Sequence, residues 1–272
     1  MAYFPILYLL FSATTLIYSP YAEADPLWEL GLGLAGVSAP LYRGSNQNQT
    51  FLVPIPYFVY RGEKLKVGDG VIRSQLFGSE AIKIDFSAAA NLPVPGHANS
   101  RVGMPDLAPT VEIGPSLELD LDSRTDNSSG WSLKFPLRLA LSLENFGRHG
   151  ATFAPYVDYK SHYQGWQFAA SAGPLFATQT YHDFYYEVLP QYVIPGRMEY
   201  HPAAGYSGSR LTFTLRRRLD NVWVGSFVRI DSLNGAQFGD SPLVQQRYAV
   251  IVGFGVSWIM ARSTTQAPTN HP

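Results

Sequence analysis

Few residues in this sequence have the types and spacing that catalysis requires. A nucleophilic hydrolase needs a serine, a histidine that activates it and a third group that orients the histidine. His97, Asn99 and Ser100 supply these types in one short run. The run falls in a connection rich in proline and glycine (Leu92 to Pro109), where a solvated loop is expected. The motif Gly-x-Ser-x-Gly does not occur. We therefore predict no catalytic residue and no enzyme.

Metal and cofactor sites are not predicted either. His182 and Asp183 could form a metal-binding or general-base fragment, but they sit in an aromatic run from Tyr181 to Tyr186. We interpret that run as a strand-end girdle beside a turn. The chain has no cysteine, which excludes disulfides and thiolate metal sites. No histidines pair at metal-ligand spacing among the six, which are His97, His149, His162, His182, His201 and His271.

The composition narrows the class of protein. Hydrophobic residues make up 46% of the 272 residues and charged residues only 15%, against about a quarter charged in average soluble domains. Such a chain can bury ample apolar surface, so disorder is excluded. The 20 basic and 21 acidic residues balance, so nucleic acid is not an expected partner. Beyond the N-terminus, no uncharged apolar run has the length of a membrane-spanning helix.

The first residues have the features of an export signal. Residues 2–18 are almost entirely apolar, and Ala22-Glu23-Ala24 matches the small-x-small pattern of signal peptidase sites. We predict a signal peptide over residues 1–24, with a mature chain that begins at Asp25. No Lys or Arg precedes the apolar run, so a short membrane anchor is the alternative. An exported chain without cysteine suits the periplasm or outer membrane of a Gram-negative cell.

Alternation of apolar and polar residues dominates the rest of the chain. From Trp131 to Leu143 every odd position is large and apolar, and such a set can lie on one side of a strand but not of a helix. Nine further segments alternate in the same way. They are Val111–Leu121, Tyr248–Trp258, Trp28–Gly36, Phe51–Val59, Ile82–Ala90, Phe153–Tyr159, Trp166–Phe176, Leu211–Leu219 and Val222–Ile230. We also predict strands at Val67–Phe77 and Phe184–Tyr192, which gives about twelve.

The direction of the apolar faces decides between two kinds of β protein. A soluble sandwich or lipocalin-type barrel turns them inward, whereas a membrane barrel turns them toward lipid. Strand length, the export signal and the even number of segments favour the second. The predicted fold is all-β: a closed antiparallel transmembrane β-barrel of about twelve strands, or alternatively ten. It spans residues 25–260, with a polar tail over 261–272.

In such a barrel the charged side chains line the lumen. The run Arg216-Arg217-Arg218 could bind lipopolysaccharide phosphates or constrict a pore, and Glu118, Asp120 and Asp122 share one strand face that could suggest calcium. We favour mutual pairing instead, with Arg216 and Arg218 opposite Glu118, Asp120 or Asp85, because unpaired interior charge is destabilising. Lys134, Arg138 and Lys83 are expected to point inward with them.

The loops leave one topological question open. The connections from Pro40 to Gln49 and from Leu92 to Pro109 are the longest, and both should be extracellular because periplasmic turns are short. Three predicted strands separate them, which would place them at opposite ends. In the segment Asp240-Ser241-Pro242-Leu243 we predict a turn in which Asp240 accepts backbone N–H bonds.

Six short motifs in this order resemble one family. They are Pro40-Leu41-Tyr42-Arg43-Gly44-Ser45, Pro54–Gly62, Ile113-Gly114-Pro115-Ser116-Leu117, Ala172-Gly173-Pro174, Tyr185-Tyr186-Glu187-Val188 and Asp240-Ser241-Pro242-Leu243-Val244. Together they resemble the MipA/OmpV family (MltA-interacting protein and relatives) over essentially the whole mature chain. The polar tail after Trp258 departs from the family, whose chains tend to end at an aromatic residue of the last strand.

The resemblance implies an outer-membrane barrel without catalytic activity or cofactor. For the namesake branch it implies a scaffold that links a murein transglycosylase to a murein synthase in cell-wall (peptidoglycan) growth. Other branches imply a porin-like channel or a surface adhesin. The expected surroundings are outer-membrane lipid and lipopolysaccharide.

Overall fold

A computed structural model describes residues 25–62, 65–68, 71–74, 82–96, 98–121 and 129–268. In these ranges the chain forms thirteen strands and one short α-helix. The strands are β1 (Trp28–Pro40), β2 (Asn48–Arg61), β3 (Leu65–Gly68), β4 (Val71–Ser74), β5 (Ile82–Asn91), β6 (Thr110–Asp120), β7 (Ser129–Ser142), β8 (Arg148–Phe153), β9 (Tyr156–Tyr163), β10 (Trp166–Ala177), β11 (Gly205–Leu219), β12 (Val222–Ser232) and β13 (Tyr248–Arg262). The helix is α1 (Gln179–Tyr186). No helix of the described residues has the length and apolarity needed to cross a membrane. The predicted signal peptide lies outside the described residues.

All the strands belong to one antiparallel sheet that closes on itself. Each strand from β1 to β7 pairs with the next, and so does each strand from β10 to β13. β8 and β9 are consecutive pieces that both lie between β7 and β10, so together they fill one position. β13 pairs with β1 and completes the ring. The thirteen strands therefore occupy twelve positions around a closed barrel, which confirms the predicted fold class.

The apolar faces of the strands point outward. On β1, Leu30, Leu32 and Leu34 are exposed, whereas Glu29 between Trp28 and Leu30 is fully buried. β13 repeats the pattern, because Val250, Val252 and Phe254 are exposed. Carboxylates and a lysine lie inside, and these are Asp85, Glu112, Glu118, Lys134, Asp158 and Asp231. An apolar exterior around a charged interior is the arrangement that a lipid bilayer stabilises.

Two predicted strands have different structures. Residues 67–77 were predicted as one strand, but β3 and β4 pair as a hairpin within residues 65–74. The strand predicted at Phe184–Tyr192 is instead the end of α1, followed by a 3₁₀ turn at Pro190–Tyr192. Its aromatic side chains pack in a loop core, where helical spacing lets Tyr185 and Tyr186 be buried together. One predicted strand became two and another became a helix, so the number of strand positions around the barrel still agrees with the predicted twelve.

The division of residues 65–74 into two strands, β3 and β4, also shows at which end of the barrel the long loops lie. Four strands, β2 to β5, separate loop 41–47 from loop 92–109, so both loops leave the barrel at the same end. Loops 143–147, 178–204 and 233–247 share that end. The opposite end has the two-residue turns 164–165 and 220–221, together with the start of β1 and the end of β13. The short-turn rule assigns the long-loop end to the outside and the short-turn end to the periplasm.

Candidate functional site

Among the described residues, the buried apolar cluster lies in the extracellular loops, and only scattered strand residues such as Ile251 and Ile259 are buried as well. Four loops, 41–47, 92–109, 178–204 and 233–247, pack together over the barrel mouth. We call this assembly the cap. Its core residues are Tyr42, Val94, Met104, Leu107, Tyr185, Tyr186, Val188, Leu233, Ala236, Phe238 and Leu243. These side chains come from distant parts of the sequence, so the cap forms only once the barrel has brought its loops together.

Aromatic stacking and a serine hold α1 in the cap. The ring of Tyr186 stacks on that of Phe238, with centroids 3.7 Å apart and planes 3° from parallel. The Ser241 hydroxyl donates to the Tyr186 carbonyl at 2.8 Å and accepts from the Leu243 N–H at 3.2 Å. The turn-forming role predicted for Asp240 therefore belongs to Ser241. The Asp240 carboxylate instead accepts from Arg247 at 3.4 Å.

His182 is fully buried on α1 and links the helix to the barrel. Its Nδ1 lies 2.6 Å from the Ala203 carbonyl, and its Nε2 lies 2.5 Å from the Ser207 hydroxyl at the start of β11. Because a carbonyl only accepts, Nδ1 carries the proton and Nε2 accepts from Ser207 in the neutral ring. Burial is the main cause that lowers the pKa of His182, and the nearby Arg43 charge adds to it. His182 thus belongs to a helix in the cap and not to a strand-end girdle.

Of the residues considered for catalysis and metal binding, Ser100 and His182 have structural partners. Ser100 Oγ lies 2.5 Å from the hydroxyl of Tyr42, which itself donates to the Leu243 carbonyl at 2.7 Å. His97 lies outside the described residues. Beside His182, burial and the Glu187 charge raise the pKa of Asp183. Within the described part of the chain, no group of three or more His, Asp or Glu side chains is arranged to hold a metal ion.

Two arginines tie the outer cap loops to one another. Arg101, which is almost fully buried, donates to the carbonyls of Tyr185 at 3.2 Å and Pro105 at 3.3 Å. Arg197 donates to Tyr192 at 2.9 Å and to Ser100 at 3.1 Å. Each arginine therefore satisfies backbone carbonyls at the end of α1 or in the short turns and loops of the cap.

A buried carboxylate connects the cap to the lumen beneath it. Asp231 on β12 is fully buried, and its two carboxylate oxygens accept hydrogen bonds from Nε and Nη2 of Arg210, both at 2.8 Å. Arg43, which belongs to cap loop 41–47, reaches the same carboxylate with its Nε at 2.9 Å. Arg43 also donates to the Ser207 carbonyl at 2.6 Å. The cap is thus bound to the barrel by an ion pair as well as by its apolar core.

Further ion pairs line the lower lumen. Lys134 lies 3.3 Å from Glu118, as inward-pointing charges on neighbouring strands should. Lys83 pairs with Asp120 at 2.5 Å. Near the periplasmic end, Glu29 accepts from Arg218 at 2.9 Å. Glu29 also pairs with Arg61.

The inward direction of these charges was predicted correctly, but the predicted partner of Arg218 was wrong. Arg218 pairs with Glu29 of β1, because β11 reaches the periplasmic end beside that strand's start. Arg216 donates to the amide oxygen of Gln167 at 2.6 Å. Arg217 lies over the ring of Trp166, 5.3 Å from its centroid. Asp122 lies outside the described residues, and the calcium interpretation has no support from Glu118 or Asp120, which bind lysines.

The periplasmic rim carries a polar recess of about 430 Å³. The segment after β13 forms one wall, since the Ala267 N–H donates to the Asp25 carbonyl at 2.7 Å and Gln266 pairs with Pro26. The recess is lined by Asp25, Pro26, Arg218, Asp220, Arg262, Ser263, Thr264 and Gln266. Both cationic and anionic groups of this lining face the periplasm.

Solved structures similar to this chain include outer-membrane proteins. A bacterial polysaccharide outer membrane secretin is 9% identical, with a TM-score of 0.47 over 86% of this chain and 99% of that chain. OprB of Pseudomonas putida is 7% identical, with a TM-score of 0.39 over 85% and 94%. Outer membrane phospholipase A of Escherichia coli is 11% identical, with a TM-score of 0.29 over 84% and 92%. No curated protein sequence matches the chain.

The sequence profile of one family matches almost the entire barrel. Its description is "MltA-interacting protein MipA", and it covers residues 32–260, from β1 through the cap loops to β13. This extent agrees with the six motifs, which are spread over the same range. With the lipid-facing apolar belt, the match identifies an outer-membrane β-barrel. The chain belongs to the MltA-interacting protein MipA family.

Proposed function

We propose that this protein is a non-enzymatic scaffold that holds a murein transglycosylase and a murein synthase at the inner face of the outer membrane. The observation that carries the proposal is the match of residues 32–260 to a family named for its interaction with MltA. Lipid and lipopolysaccharide surround the apolar belt in this proposal and anchor the barrel. The protein itself contributes position and no chemistry.

The periplasmic rim is the surface best suited to such partners. Murein enzymes work in the periplasm, and the cap lies at the opposite end of the barrel. The rim recess offers charged groups of both signs, including Asp220 and Arg262, in a volume of about 430 Å³ that a partner loop can enter. Complementary charges at a rim of this kind give specificity more than affinity.

Co-purification from detergent extracts at native expression tests the proposal. We expect the wild-type protein to retain both enzymes. Arg262→Glu, which reverses a charge in the recess, should reduce the retained enzymes several-fold because it removes charge complementarity. Met198→Ala, on the exposed surface of the cap, is the matched control and should retain both. Failure of the wild-type protein to retain either enzyme would refute the scaffold.

One feature of the cap favours a second candidate function, that of a surface adhesin. Val102, Val193, Ile194 and Met198 are large apolar side chains exposed on the extracellular loops. Contiguous apolar surface on loops often marks a binding site. Adhesion of cells that express the wild-type protein, compared with cells that express Met198→Asp, tests this candidate. Equal adhesion, at equal surface expression, would argue against it.

A further inference from the structure

Three arginines converge on a single carboxylate in the lumen directly under the cap. Arg210 and Arg43 bind Asp231 at 2.8 and 2.9 Å, whereas the Nε of Arg229 stays 3.9 Å away. That distance is too long for a hydrogen bond. The Arg229 Nε is buried and has no hydrogen-bond partner. Asp231 therefore forms a bidentate hydrogen-bonded pair with Arg210 alone, and the buried Nε atoms of Arg43 and Arg229 both lack a hydrogen-bond partner.

The surrounding charges do not restore the balance. Arg138 and Glu112 are the remaining charged groups that interact with Arg210 across the lumen, among those described. Glu112 accepts its hydrogen bonds from neutral groups, which are Asn91, Thr152 and Tyr181. Four guanidinium groups thus share two carboxylates, an excess of two positive charges. Excess charge in a low-dielectric enclosure attracts an anion strongly.

An apolar wall continues from Arg229 along the same strand face. Phe227 and Trp223 of β12 point into the lumen, because β-carbons added at Gly253 and Gly255, which alternate with lipid-facing Phe254, would contact their rings. Ile55 of β2 lies on this wall as well, near Gly255. The two rings remain partly accessible, so the wall is not sealed by packing. From Arg229 to Trp223 it extends about 20 Å along the strand.

We propose that the lumen beneath the cap binds an amphipathic organic anion. Its carboxylate, sulfonate or phosphate group accepts from Arg229 beside Arg43 and Arg210. Its apolar part lies along Phe227 and Trp223. A few placed polar groups next to an apolar lining are typical of small-molecule sites. The ligand enters from the periplasmic end, since the cap covers the other. This site is independent of the proposed scaffold function.

Calorimetric titration of the full-length protein in lipid nanodiscs, corrected with empty nanodiscs, tests the site. Three probes separate its parts: octanoate has both charge and chain, octanol has only the chain, and inorganic phosphate has only the charge. We expect saturable one-to-one binding of octanoate, about tenfold or more tighter than either other probe, because only octanoate uses both surfaces. Arg229→Gln should weaken octanoate binding about tenfold or more, since a charge-assisted hydrogen bond is lost.

Matched variants keep the result interpretable. Arg217→Gln removes an arginine that lies over Trp166 and not in the cluster, so octanoate should bind as in the wild type. Arg229→Lys retains the charge and should bind better than Arg229→Gln, which separates ligand binding from loss of fold. Phe227→Ala should weaken octanoate binding and leave phosphate unaffected. Equal binding of phosphate and octanoate, equal binding by wild type and Arg229→Gln, or no octanoate binding would each overturn the proposal.

Discussion

The Asp231 carboxylate joins three parts of the protein that are far apart in sequence. It accepts hydrogen bonds from Arg210 of the neighbouring strand and forms an ion pair with Arg43 of a cap loop, and it is completely shielded from solvent. Breaking a buried ion pair on one side destabilises a protein because the remaining charges lose their compensation. Loss of the Asp231 carboxylate should therefore affect both the cap and the barrel.

Asp231→Asn should lower the free energy of unfolding by about 3 kcal/mol, the lower end of the range for buried pairs, because its arginines keep some contact with solvent. Urea unfolding of the refolded protein in detergent, followed by its heat-modifiable mobility on gels, measures the change. Asp240→Asn is the control, since that side chain is 93% exposed and its only described partner is Arg247. Equal effects of the two substitutions would contradict this account of the lumen.

His182 makes the stability of the cap depend on pH. Burial lowers its pKa in the folded protein below the ordinary value of 6.5, so the unfolded cap binds more protons than the folded one. Stability contributed by neutral His182 is fully present above pH 6.5 and decreases as the pH falls toward the folded pKa. Hydrogen exchange of cap amides at pH 7.5 and at pH 5.5 should show faster opening at the lower pH.

His182→Gln should flatten that dependence, although it also lowers stability at neutral pH. His201 provides a contrast, because hydrogen bonds to Glu199 and Glu187 raise its pKa. Its contribution is present at low pH and lost as the pH rises through the folded pKa, which is the opposite sign. The variant His201→Gln should therefore steepen the loss of cap stability on acidification. A shallower loss in His201→Gln would contradict the assignment.

At the scale of elements, helix α1 and loop 233–247 form the part of the cap that closes the mouth. Phe238 is fully buried and touches both Tyr186 and His182. Phe238→Ala should destabilise the cap by about 3–5 kcal/mol, the usual range for a buried phenylalanine. Limited proteolysis should then cut within the cap while the barrel remains resistant. Met198→Ala, at a 70% exposed side chain, should leave the cap uncut; equal cutting would be contrary to this prediction.

The loop positions give a second prediction at this scale. Because the chain contains no cysteine, single-cysteine variants can be labelled without background. Asn48→Cys and Asn99→Cys should both react with a membrane-impermeant maleimide on intact cells, since both lie at the long-loop end. Gln164→Cys, in the two-residue turn between β9 and β10, should react only after the outer membrane is permeabilised. Labelling of Asn48→Cys and Asn99→Cys on opposite sides would refute the four intervening strands.

The sequence revealed the barrel strands because their two faces meet different surroundings. Lipid on one side and charged lumen on the other impose a period of two, visible from Trp131 to Leu143. β3 and β4 have only four residues each, too few to show a period of their own. In the run Tyr181 to Tyr186 almost every residue is aromatic, so alternation cannot distinguish strand from helix there.

The candidate site was much less predictable, for a physical reason. The inward-pointing charged residues could be recognised from the sequence. Their partners depend on which strands are neighbours around the barrel, and this arrangement places Arg218 beside Glu29 and not beside Glu118. The cap depends on contacts between distant segments, such as Tyr42 with Leu243. Its residues carry no periodic signal, and the only clue was that Tyr42, Tyr186 and Leu243 fall in three of the six family-like motifs.

At the scale of the whole molecule, the structure is inverted relative to a soluble protein. Its exterior is apolar, its lumen is ionic, and its only described apolar core closes the extracellular mouth. A barrel closed in this way can hold partners or a small ligand, but its mouth offers no wide aqueous passage. A cap over the mouth therefore disfavours a general porin.

Planar-bilayer recordings measure this difference. The reconstituted wild-type protein should show no sustained conductance, because the cap core fills the mouth. Phe238→Ala, which loosens the cap, should produce intermittent opening. Steady porin-like conductance of the wild type would contradict the closed mouth. If Phe238→Ala loosens the cap but still conducts no current, the barrier to ions lies lower in the barrel, among the ion pairs of the lumen.

Because β1 pairs with β13, the barrel can close only after its last strand has been synthesised. β1 is the first strand and β13 the last to be synthesised. The edge of β1 that pairs with β13 therefore stays unsatisfied until the last strand is available. A polypeptide interrupted anywhere before Tyr248 leaves two open edges that lipid cannot solvate. A prematurely terminated chain should therefore be degraded by periplasmic proteases and should not form a smaller functional barrel.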